Sequence, residues 1–420
     1  MKHGKHSKPV QKTKAYKKTK KESIDISSNS ANHKMLPVTR AICAVQLLIM
    51  LAGLAFVAFL HLLSLKFLII LAALIFIVTV IHILLIETKT RKIALKVISI
   101  VLSVVVSLVT IYGAVIVGTV YNSLGNLSTD DDGNIITQKA DVTNQPFLVY
   151  LSGLDTRNVS EIAEKGLSDV NMLVAINPTT KKVLMINIPR DYYVGLSGDS
   201  NKMDKLTHAG TEGIACSIAT IESIFDVKCN YYVKVNFKSV VDIVDALGGI
   251  TVTSEFNFTS DASLSETFYD FRIGENKLDG DRALAFARER KSFPKGDRQR
   301  GIHQQMIINA IFDKVISPSV LLNPSKLNNV LNATTSNIKT NISSAEIKKL
   351  VRMQQDDMAA WDIQTTAVDG TGASRPSYKA NGQMLSVMIP NEETITAAKE
   401  QINAIFNPDA ANSTETPENQ

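Results

Sequence analysis

The chain has 420 residues, of which 45% are hydrophobic, and carries a formal net charge of +5 at pH 7. The apolar residues and the positive charges are both concentrated near the N-terminus, which excludes an evenly mixed soluble chain. Three cysteines are too few for a disulfide framework. Cys43 lies in an apolar run, whereas Cys216 and Cys229 form either one bridge or two packed thiols.

Three apolar runs follow one another at residues 41–60, 67–86 and 97–120, and none contains Asp, Glu, Lys or Arg. Each has about 20 residues, enough at about 1.5 Å per residue to cross a hydrocarbon core of ~30 Å. A buried helix of a soluble protein would alternate with polar residues, and these runs do not. Residues 41–120 are therefore predicted to form three transmembrane helices.

The distribution of basic residues predicts the orientation of these helices. Residues 1–40 carry ten Lys and one Arg against Glu22 and Asp25, and the loop between the second and third runs is also basic. Basic segments remain in the cytoplasm. We therefore expect residues 1–40 to be a disordered cytoplasmic tail and everything after residue 120 to be extracellular. The excess of basic residues on the cytoplasmic side would then face anionic lipids, so it does not indicate a nucleic-acid partner.

The rest of the chain divides by composition into a polar tether at 121–144, a globular domain at 145–407 and a polar tail at 408–420. Short apolar runs predict strands at 147–151, 172–176, 183–188 and 231–235. Helical periodicity predicts helices at 211–225, 237–247, 279–289 and 297–315. Strands that alternate with helices predict the α/β class, here an α-β-α sandwich with a central mixed sheet.

Two acidic residues flank the first two predicted strands. Asp155 follows the first strand in SGLD, and Asp169 precedes the second in SDVNML. Sites of open α/β sheets lie at strand ends. Two carboxylates there could hold Mg²⁺ together with phosphate oxygens. Taken singly, each also fits an ordinary turn residue.

The strongest local signal is basic. Residues 288–300 contain four Arg and two Lys against two acidic residues, a balance of +4 in 13 residues. Arg forks bind phosphate through paired hydrogen bonds and remain charged. Asp297, Arg300 and Gln304 share one face of the predicted helix, and Arg190 leaves the third predicted strand behind Pro189. These features indicate an anion site; the alternatives are a solvated charge run and a surface ion pair.

The sequence contains no GxSxG, HExxH or Walker A motif. Many Arg, a few Asp and no evident nucleophile suggest chemistry on a phosphate diester or pyrophosphate, where positioning and charge neutralisation do most of the catalysis.

The order of these segments resembles the LytR-CpsA-Psr family. The matching stretches are SGLD, SDVNMLVAINPTTKKVLMINIPRD, DKLTHAG, YYVKVNFKSVVDIVDALGGITV, LDGDRALAFARERK and GDRQRGIHQQ. The resemblance extends over about 260 residues, and the three spans are similar to the CpsA branch. The sequence departs from the family pattern at Leu167, where an Arg usually precedes the Ser-Asp pair.

The resemblance implies a Mg²⁺-dependent phosphotransferase in the cell membrane that moves a glycopolymer from an undecaprenyl-pyrophosphate carrier to peptidoglycan. The polymer would be capsular polysaccharide or teichoic acid. By motif, Asp155 and Asp169 would hold Mg²⁺. The catalytic residues would be Arg190, Arg288, Arg290, Asp297 and Arg300. The substrate-binding residues would be Arg298, Gln304, Lys205 and His208.

Two further expectations accompany this interpretation. The alternative function is a non-catalytic regulator or scaffold that binds the lipid carrier. The apolar surplus of the predicted helices at 211–225 and 237–247 predicts a lipid tunnel between them and the sheet, the alternative being a packed core.

Overall fold

The computed structural model describes residues 37–87, 93–125, 138–154, 163–198, 201–261, 267–294, 296–335 and 338–408. Predictions for the N-terminal tail, for Asp155 and for the end of the C-terminal tail lie outside these ranges. The chain divides into two compact units, Met1–Gly118 and Thr119–Gln420.

The three apolar runs are confirmed as helices: α1 spans Pro37–Phe59, α2 spans Leu65–Glu87 and α3 spans Ile93–Gly125. Each is long and apolar enough to cross a membrane. Large apolar side chains remain exposed along them, among them Phe59 and Phe76. Such surfaces are unfavourable in water and favourable in lipid.

The described ends of the predicted tether belong to the second unit. Leu124, in the last turn of α3, is fully buried, and Val142 is 1% exposed. The Ser123 hydroxyl donates to the side-chain oxygens of Asn328 at 3.0 Å and Asn332 at 2.8 Å. Helix α3 therefore extends to Gly125, inside the predicted tether range 121–144, and the described residues from 138 onward pack with the second unit.

The second unit contains fourteen described strands. They are β1 Phe147–Leu154, β2 Ser168–Asn177, β3 Lys182–Ile188, β4 Tyr193–Leu196, β5 Lys202–Lys205, β6 Tyr231–Asn236, β7 Ile250–Ser254, β8 Phe258–Thr259, β9 Asp270–Phe271, β10 Gly274–Leu278, β11 Ile338–Thr340, β12 Asp362–Ala367, β13 Gly370–Pro376 and β14 Met384–Pro390.

The described helices of this unit are α4 Ile214–Phe225, α5 Phe237–Ala246, α6 Gly280–Arg288, α7 Gly296–Ile316, α8 Pro318–Leu321, α9 Pro324–Thr335, α10 Ser344–Asp357 and α11 Glu392–Phe406, and a 3-10 helix spans Leu206–Thr211.

The central sheet has the strand order β11-β6-β1-β2-β3-β12. β1 is parallel to β6 and β3 is parallel to β12, whereas β2 runs antiparallel to β1 and β3. Along β1, Leu148 and Tyr150 enter a core with α4 and α11, and Phe147 and Val149 enter the opposite core with α7 and α10. Both faces are covered, which confirms the predicted α-β-α sandwich with a mixed sheet.

The helix α5 packs in a different core from α4. Val244 and Leu247 are fully or almost fully buried with α6, α7 and the strands β7 to β10, whereas α4 lies against the central sheet. The apolar surplus of α5 is thus used in packing against α6 and α7. The two helices that were predicted to bound one tunnel therefore lie in different cores.

Candidate active site

Four parallel-running strands end at one edge of the central sheet. β1, β3, β6 and β12 point the same way, because β2 reverses direction between β1 and β3. Their carboxyl ends therefore share an edge with the start of β2. Open α/β sheets carry their sites at such an edge, and the predicted residues Asp169 and Arg190 lie there.

Asp169 and Arg190 form an ion pair across this edge. Nη1 of Arg190 donates to Oδ1 of Asp169 at 2.8 Å, and the two side chains are 24% and 13% exposed. Pro189 ends β3 and cannot continue its hydrogen-bond ladder, so the chain turns and Arg190 leaves the sheet toward the start of β2. Both side chains line a cleft at this edge of the sheet.

A second cation extends the network. Nζ of Lys205 lies 2.8 Å from Oδ1 of Asp191, and Nε of Arg190 lies 3.8 Å from Oδ2 of the same carboxylate. The Asp191 carboxylate therefore links Lys205 to Arg190, the predicted phosphate-binding residue. Charge-assisted contacts of this kind fix the long side chains in one geometry.

The helix α7 contributes three of the predicted residues. Arg298, Arg300 and Gln304 line one cleft with Asp169 and Arg190. Arg298, which the helical spacing sets apart from Arg300 and Gln304, nevertheless faces the same cleft. The backbone of Asp297 lies in the first turn of α7, and its side chain is outside the described residues.

A glycine allows α7 to approach the sheet edge closely. A Cβ atom at Gly301 would lie 2.2 Å from Nδ2 of Asn187, near the end of β3. Both residues line the cleft. The absence of a side chain at Gly301 therefore sets the distance between the arginines of α7 and the end of β3.

Asp369 is a cleft residue that the sequence reasoning missed. It follows β12, and its Oδ2 accepts from Nη1 of Arg298 at 2.5 Å. β12 has the sequence DIQTTA, without a buried apolar run, so no strand was expected before Asp369. Only the pairing of β12 beside β3 brings this carboxylate to the site.

Arg288 and Arg290 are not among the residues that line this cleft. Cζ of Arg288 lies 4.4 Å from the ring centroid of Phe237, a cation–π contact, and Arg290 is exposed. Between them, Glu289 is fully buried and accepts from the amides of Asp261 at 2.7 Å and Ser292 at 3.0 Å. Glu289 thereby holds the connection that carries both arginines.

The cleft has a cavity volume of about 50 Å³. Sites that enclose a small molecule are larger, roughly 300–1,000 Å³. The cleft therefore suits a compact anionic group at the surface rather than an enclosed lipid chain. Its lining alternates carboxylates with guanidinium groups: Asp169 with Arg190, and Asp369 with Arg298.

His208 lies on the 3-10 helix, whose Thr207 amide donates to the carbonyl of the cleft residue Arg190, and it is hydrogen-bonded to a buried acid. Its Nδ1 is 2.7 Å from Oδ1 of Asp204, a fully buried side chain. Burial acts to raise the pKa of Asp204, but hydrogen bonds from the Lys379 and Lys205 amides, Ser377 and His208 lower it below its ordinary value. Asp204 is a second residue that the sequence reasoning missed.

The two cysteines of the second unit are free and buried, and burial raises the pKa of Cys229 to about 12. The interpretation of Cys216 and Cys229 as packed thiols is confirmed.

The described residues offer hard oxygen ligands for a cation but no complete cage. Among them, no three His, Cys, Asp or Glu side chains cluster as a metal-binding group. Asp169 and Asp369 both line the cleft. Mg²⁺ keeps several waters and requires only one or two carboxylates when phosphate oxygens complete its shell. The donor set thus fits Mg²⁺ that binds together with a phosphorylated substrate.

The chain belongs to the LytR_cpsA_psr family, whose family model matches residues 116–404. A teichoic acid transferase TagU of Bacillus cereus is 33% identical over 261 residues, covering 60% of this chain and 81% of the relative.

Two solved structures share the fold of the second unit. Protein gbs0355 of Streptococcus agalactiae has 28% sequence identity and a TM-score of 0.53, over 63% of this chain and 88% of that one. TagT bound to LIIa-WTA has 25% identity and a TM-score of 0.52, over 67% of this chain and 99% of that one.

Proposed function

We propose that this chain is a membrane-anchored phosphotransferase that moves an undecaprenyl-pyrophosphate-linked glycopolymer to peptidoglycan. The polymer class that the relatives favour is teichoic acid, since the TagU relative is named a teichoic acid transferase and TagT was solved with LIIa-WTA. Capsular polysaccharide is the other anionic or neutral polymer that the same chemistry would transfer.

The observation that carries this proposal is the set of three arginines around one cleft. Arg190, Arg298 and Arg300 come from two different elements and line it with Gln304. Two of them are already paired with carboxylates. Paired guanidinium groups are held in position before the substrate arrives, so little reorganisation is needed when phosphate oxygens take their place beside them.

The cleft residues divide the work of phosphoryl transfer. Arg190 and Arg300 bind non-bridging phosphate oxygens, and Gln304 donates or accepts at the rim. A hydroxyl of the wall polymer attacks the phosphorus that bears the sugar, and polyprenyl phosphate leaves. Negative charge increases on the leaving phosphate, and the fixed guanidinium groups stabilise it there.

We further propose that Asp169, together with Asp155, holds Mg²⁺. When bound, the ion would offset the charge of the pyrophosphate oxygens. Arg190, hydrogen-bonded to Asp169, would then orient that carboxylate. Turnover should depend on added Mg²⁺ and be lost on chelation, and Asp169→Asn should raise the Mg²⁺ concentration required. Full turnover in excess EDTA would remove Mg²⁺ from the reaction.

We also propose that the second unit is extracellular, with the N-terminus in the cytoplasm. The support is the Lys-rich segment before α1, combined with an odd number of spans. An epitope tag after Gln420 should be accessible to antibody on wall-stripped cells, whereas a tag before Met1 should become accessible only after permeabilisation. The opposite labelling would reverse the orientation.

The transfer itself can be tested with the full-length protein in detergent. The donor is a synthetic polyprenyl-pyrophosphate-linked disaccharide, the acceptor is an uncrosslinked glycan strand of peptidoglycan, and the measurement is release of polyprenyl phosphate with labelled acceptor. Arg190→Ala should lower the rate of release ~30- to 1,000-fold, while Arg375→Ala, at an exposed arginine of β13 whose side chain donates to the carbonyl of its neighbour Ser374, should leave the rate unchanged. Binding of the donor without any release by the wild-type protein would favour a scaffold.

A further inference from the structure

The pair of Asp204 and His208 is a buried acid–imidazole arrangement that phosphate binding does not use. Asp204, at the end of β5, is fully buried. Its Oδ1 accepts from His208 at 2.7 Å and from Ser377 at 2.9 Å, and its Oδ2 accepts from the Lys379 amide at 2.6 Å. These contacts hold the carboxylate and therefore the imidazole in one orientation.

The 3-10 helix carries His208 next to the two segments that position Arg190 and Asp169. The Thr207 amide donates to the carbonyl of Arg190 at 2.9 Å, and the Gly166 amide donates to the carbonyl of Gly210 at 3.0 Å. A Cβ atom at Gly210 would lie 2.4 Å from the carbonyl oxygen of Gly166. His208 thus lies between two residues that are fixed to the candidate site by their backbones.

The carboxylate determines which imidazole nitrogen is free. An ionised carboxylate only accepts hydrogen bonds, so Nδ1 of neutral His208 must carry the proton. Nε2 then presents a lone pair. His208 is 16% exposed, and its Nε2 forms no hydrogen bond with any residue in the described ranges. This is the arrangement of a group that can accept a proton from a bound hydroxyl.

The two carboxylates of the cleft and the neighbouring Asp191 are poorly suited to that role. Asp169 is paired with Arg190, Asp191 with Lys205, and Asp369 with Arg298. Each of these carboxylates is therefore already engaged by a cation, whereas Nε2 of His208 has no such partner among the described residues. Asp297, the base expected from the family resemblance, is the remaining alternative and enters the test below.

We infer that His208, oriented by Asp204, is the general base of the transfer reaction, an inference that rests on the proposed function. The hydroxyl oxygen of the acceptor sugar forms a bond to the phosphorus that bears the donor sugar, and the hydroxyl proton moves to Nε2 of His208. The bond from that phosphorus to the bridging oxygen breaks. Its electron pair leaves with polyprenyl phosphate, and His208 then releases its proton to water.

The test compares His208→Gln with the wild-type full-length protein in the release assay, as a function of pH. Loss of a general base typically lowers the rate about 10²- to 10⁴-fold. We expect kcat to fall in that range with KM for the donor unchanged, and the acid limb of the kcat/KM profile to disappear. The charged groups near the imidazole are Asp204, the Lys205–Asp191 pair and the Lys379–Glu212 pair.

A positioning role and a catalytic role can be separated by rescue. In His208→Ala, added imidazole should restore part of kcat, whereas a merely structural histidine would not respond. Asp204→Asn would donate to Nδ1 and move the proton to Nε2, so it should lower kcat while leaving donor binding intact. Ser377 and the Lys379 amide also donate hydrogen bonds to Asp204, so this variant can fail to fold. In that case the His208 variants alone test the inference.

Two results would overturn the inference. One is a folded His208→Gln protein with turnover within threefold of wild type and the same acid limb. The other is loss of that limb in Asp297→Asn but not in His208→Gln. A wild-type protein that binds donor but releases no polyprenyl phosphate would instead refute the proposed function.

Discussion

Replacing Arg190 by Ala is the most informative perturbation of the cleft. The guanidinium is 24% exposed and lies 2.8 Å from Oδ1 of Asp169. At about 4 Å from a phosphate charge and an effective dielectric constant of about 20, one unit charge contributes ~4 kcal/mol. Partial exposure reduces this value, so we expect a loss of about 2–4 kcal/mol in transition-state stabilisation, or ~30- to 1,000-fold in kcat/KM.

The assay is polyprenyl phosphate release by the full-length protein under conditions where the donor is below KM. Arg190→Lys keeps the charge but loses the planar fork, so its activity should lie between wild type and Arg190→Ala. Removing Arg190 also leaves the Asp169 carboxylate, 13% exposed, without its main cation. The thermal unfolding temperature must therefore be measured for each variant, so that a folding defect is not taken for a catalytic one.

A double-mutant cycle with Asp169→Asn extends this prediction. If the pair acts as one unit, the double variant should be hardly worse than either single variant, because each removes the same arrangement. Additive losses would mean that Arg190 and Asp169 contact the substrate independently. A folded Arg190→Ala protein with kcat/KM within threefold of wild type would refute the assignment of Arg190 to the phosphate site.

The remaining predictions concern Arg298 at the cleft rim, Gly301 where α7 approaches β3, and the buried His303. Arg298→Ala should raise KM for the anionic donor about tenfold, ~1.4 kcal/mol, because it leaves Asp369 unneutralised, while the unfolding temperature changes little since the pair is largely exposed. Gly301→Ala should lower kcat with little change in stability, because the new methyl group displaces the Asn187 amide toward the cleft; equal activity would show that the close approach is unimportant. Burial lowers the pKa of His303 to about 4 from 6.5, so the unfolded chain binds a proton first and the free energy of unfolding should fall by about 3 kcal/mol from pH 6.5 to pH 4. Urea unfolding should show this loss in wild type, and an unchanged pH slope in His303→Phe would contradict it.

Patterns that depend on local sequence predicted much of the fold. The three spans followed from uninterrupted apolar runs, and β1 to β3 followed from apolar stretches buried on both faces. Helix boundaries shifted by a few residues, as at the 3-10 helix that precedes α4. Periodicity identifies an apolar face without showing which neighbour covers it, so it did not predict that α4 and α5 enter different cores.

The composition of the site was less accessible to sequence reasoning. Asp169, Arg190, Arg300 and Gln304 come together because motif positions at strand ends and on one helix face converge at one sheet edge. Asp369 follows β12 and Asp204 lies within β5, and both strands have exposed or mixed residues, so no periodic pattern identified these two carboxylates. Arg288 and Arg290 do not line this cleft, and their predicted catalytic role stays a prediction, because charge density does not show which residues of a basic segment face a bound substrate.

The alternation of charges explains how a strongly basic segment is accommodated without substrate. Arg190 and Arg298 are each paired with a carboxylate that belongs to a different strand end, Asp169 and Asp369. Unpaired guanidinium groups this close would repel one another and weaken the packing of α7 against β3. The carboxylates offset that repulsion, but they also repel an incoming phosphate.

A divalent cation on the carboxylates would remove the repulsion between these acids and the phosphate, because the arginines would then face the phosphate oxygens and the acids would face the cation. The charge pattern of the cleft therefore favours a donor that binds together with a metal ion over a donor that binds alone. Donor affinity measured with Arg190 intact should rise when Mg²⁺ is added and should lose this response in Asp169→Asn; an affinity independent of Mg²⁺ in both proteins would contradict the argument.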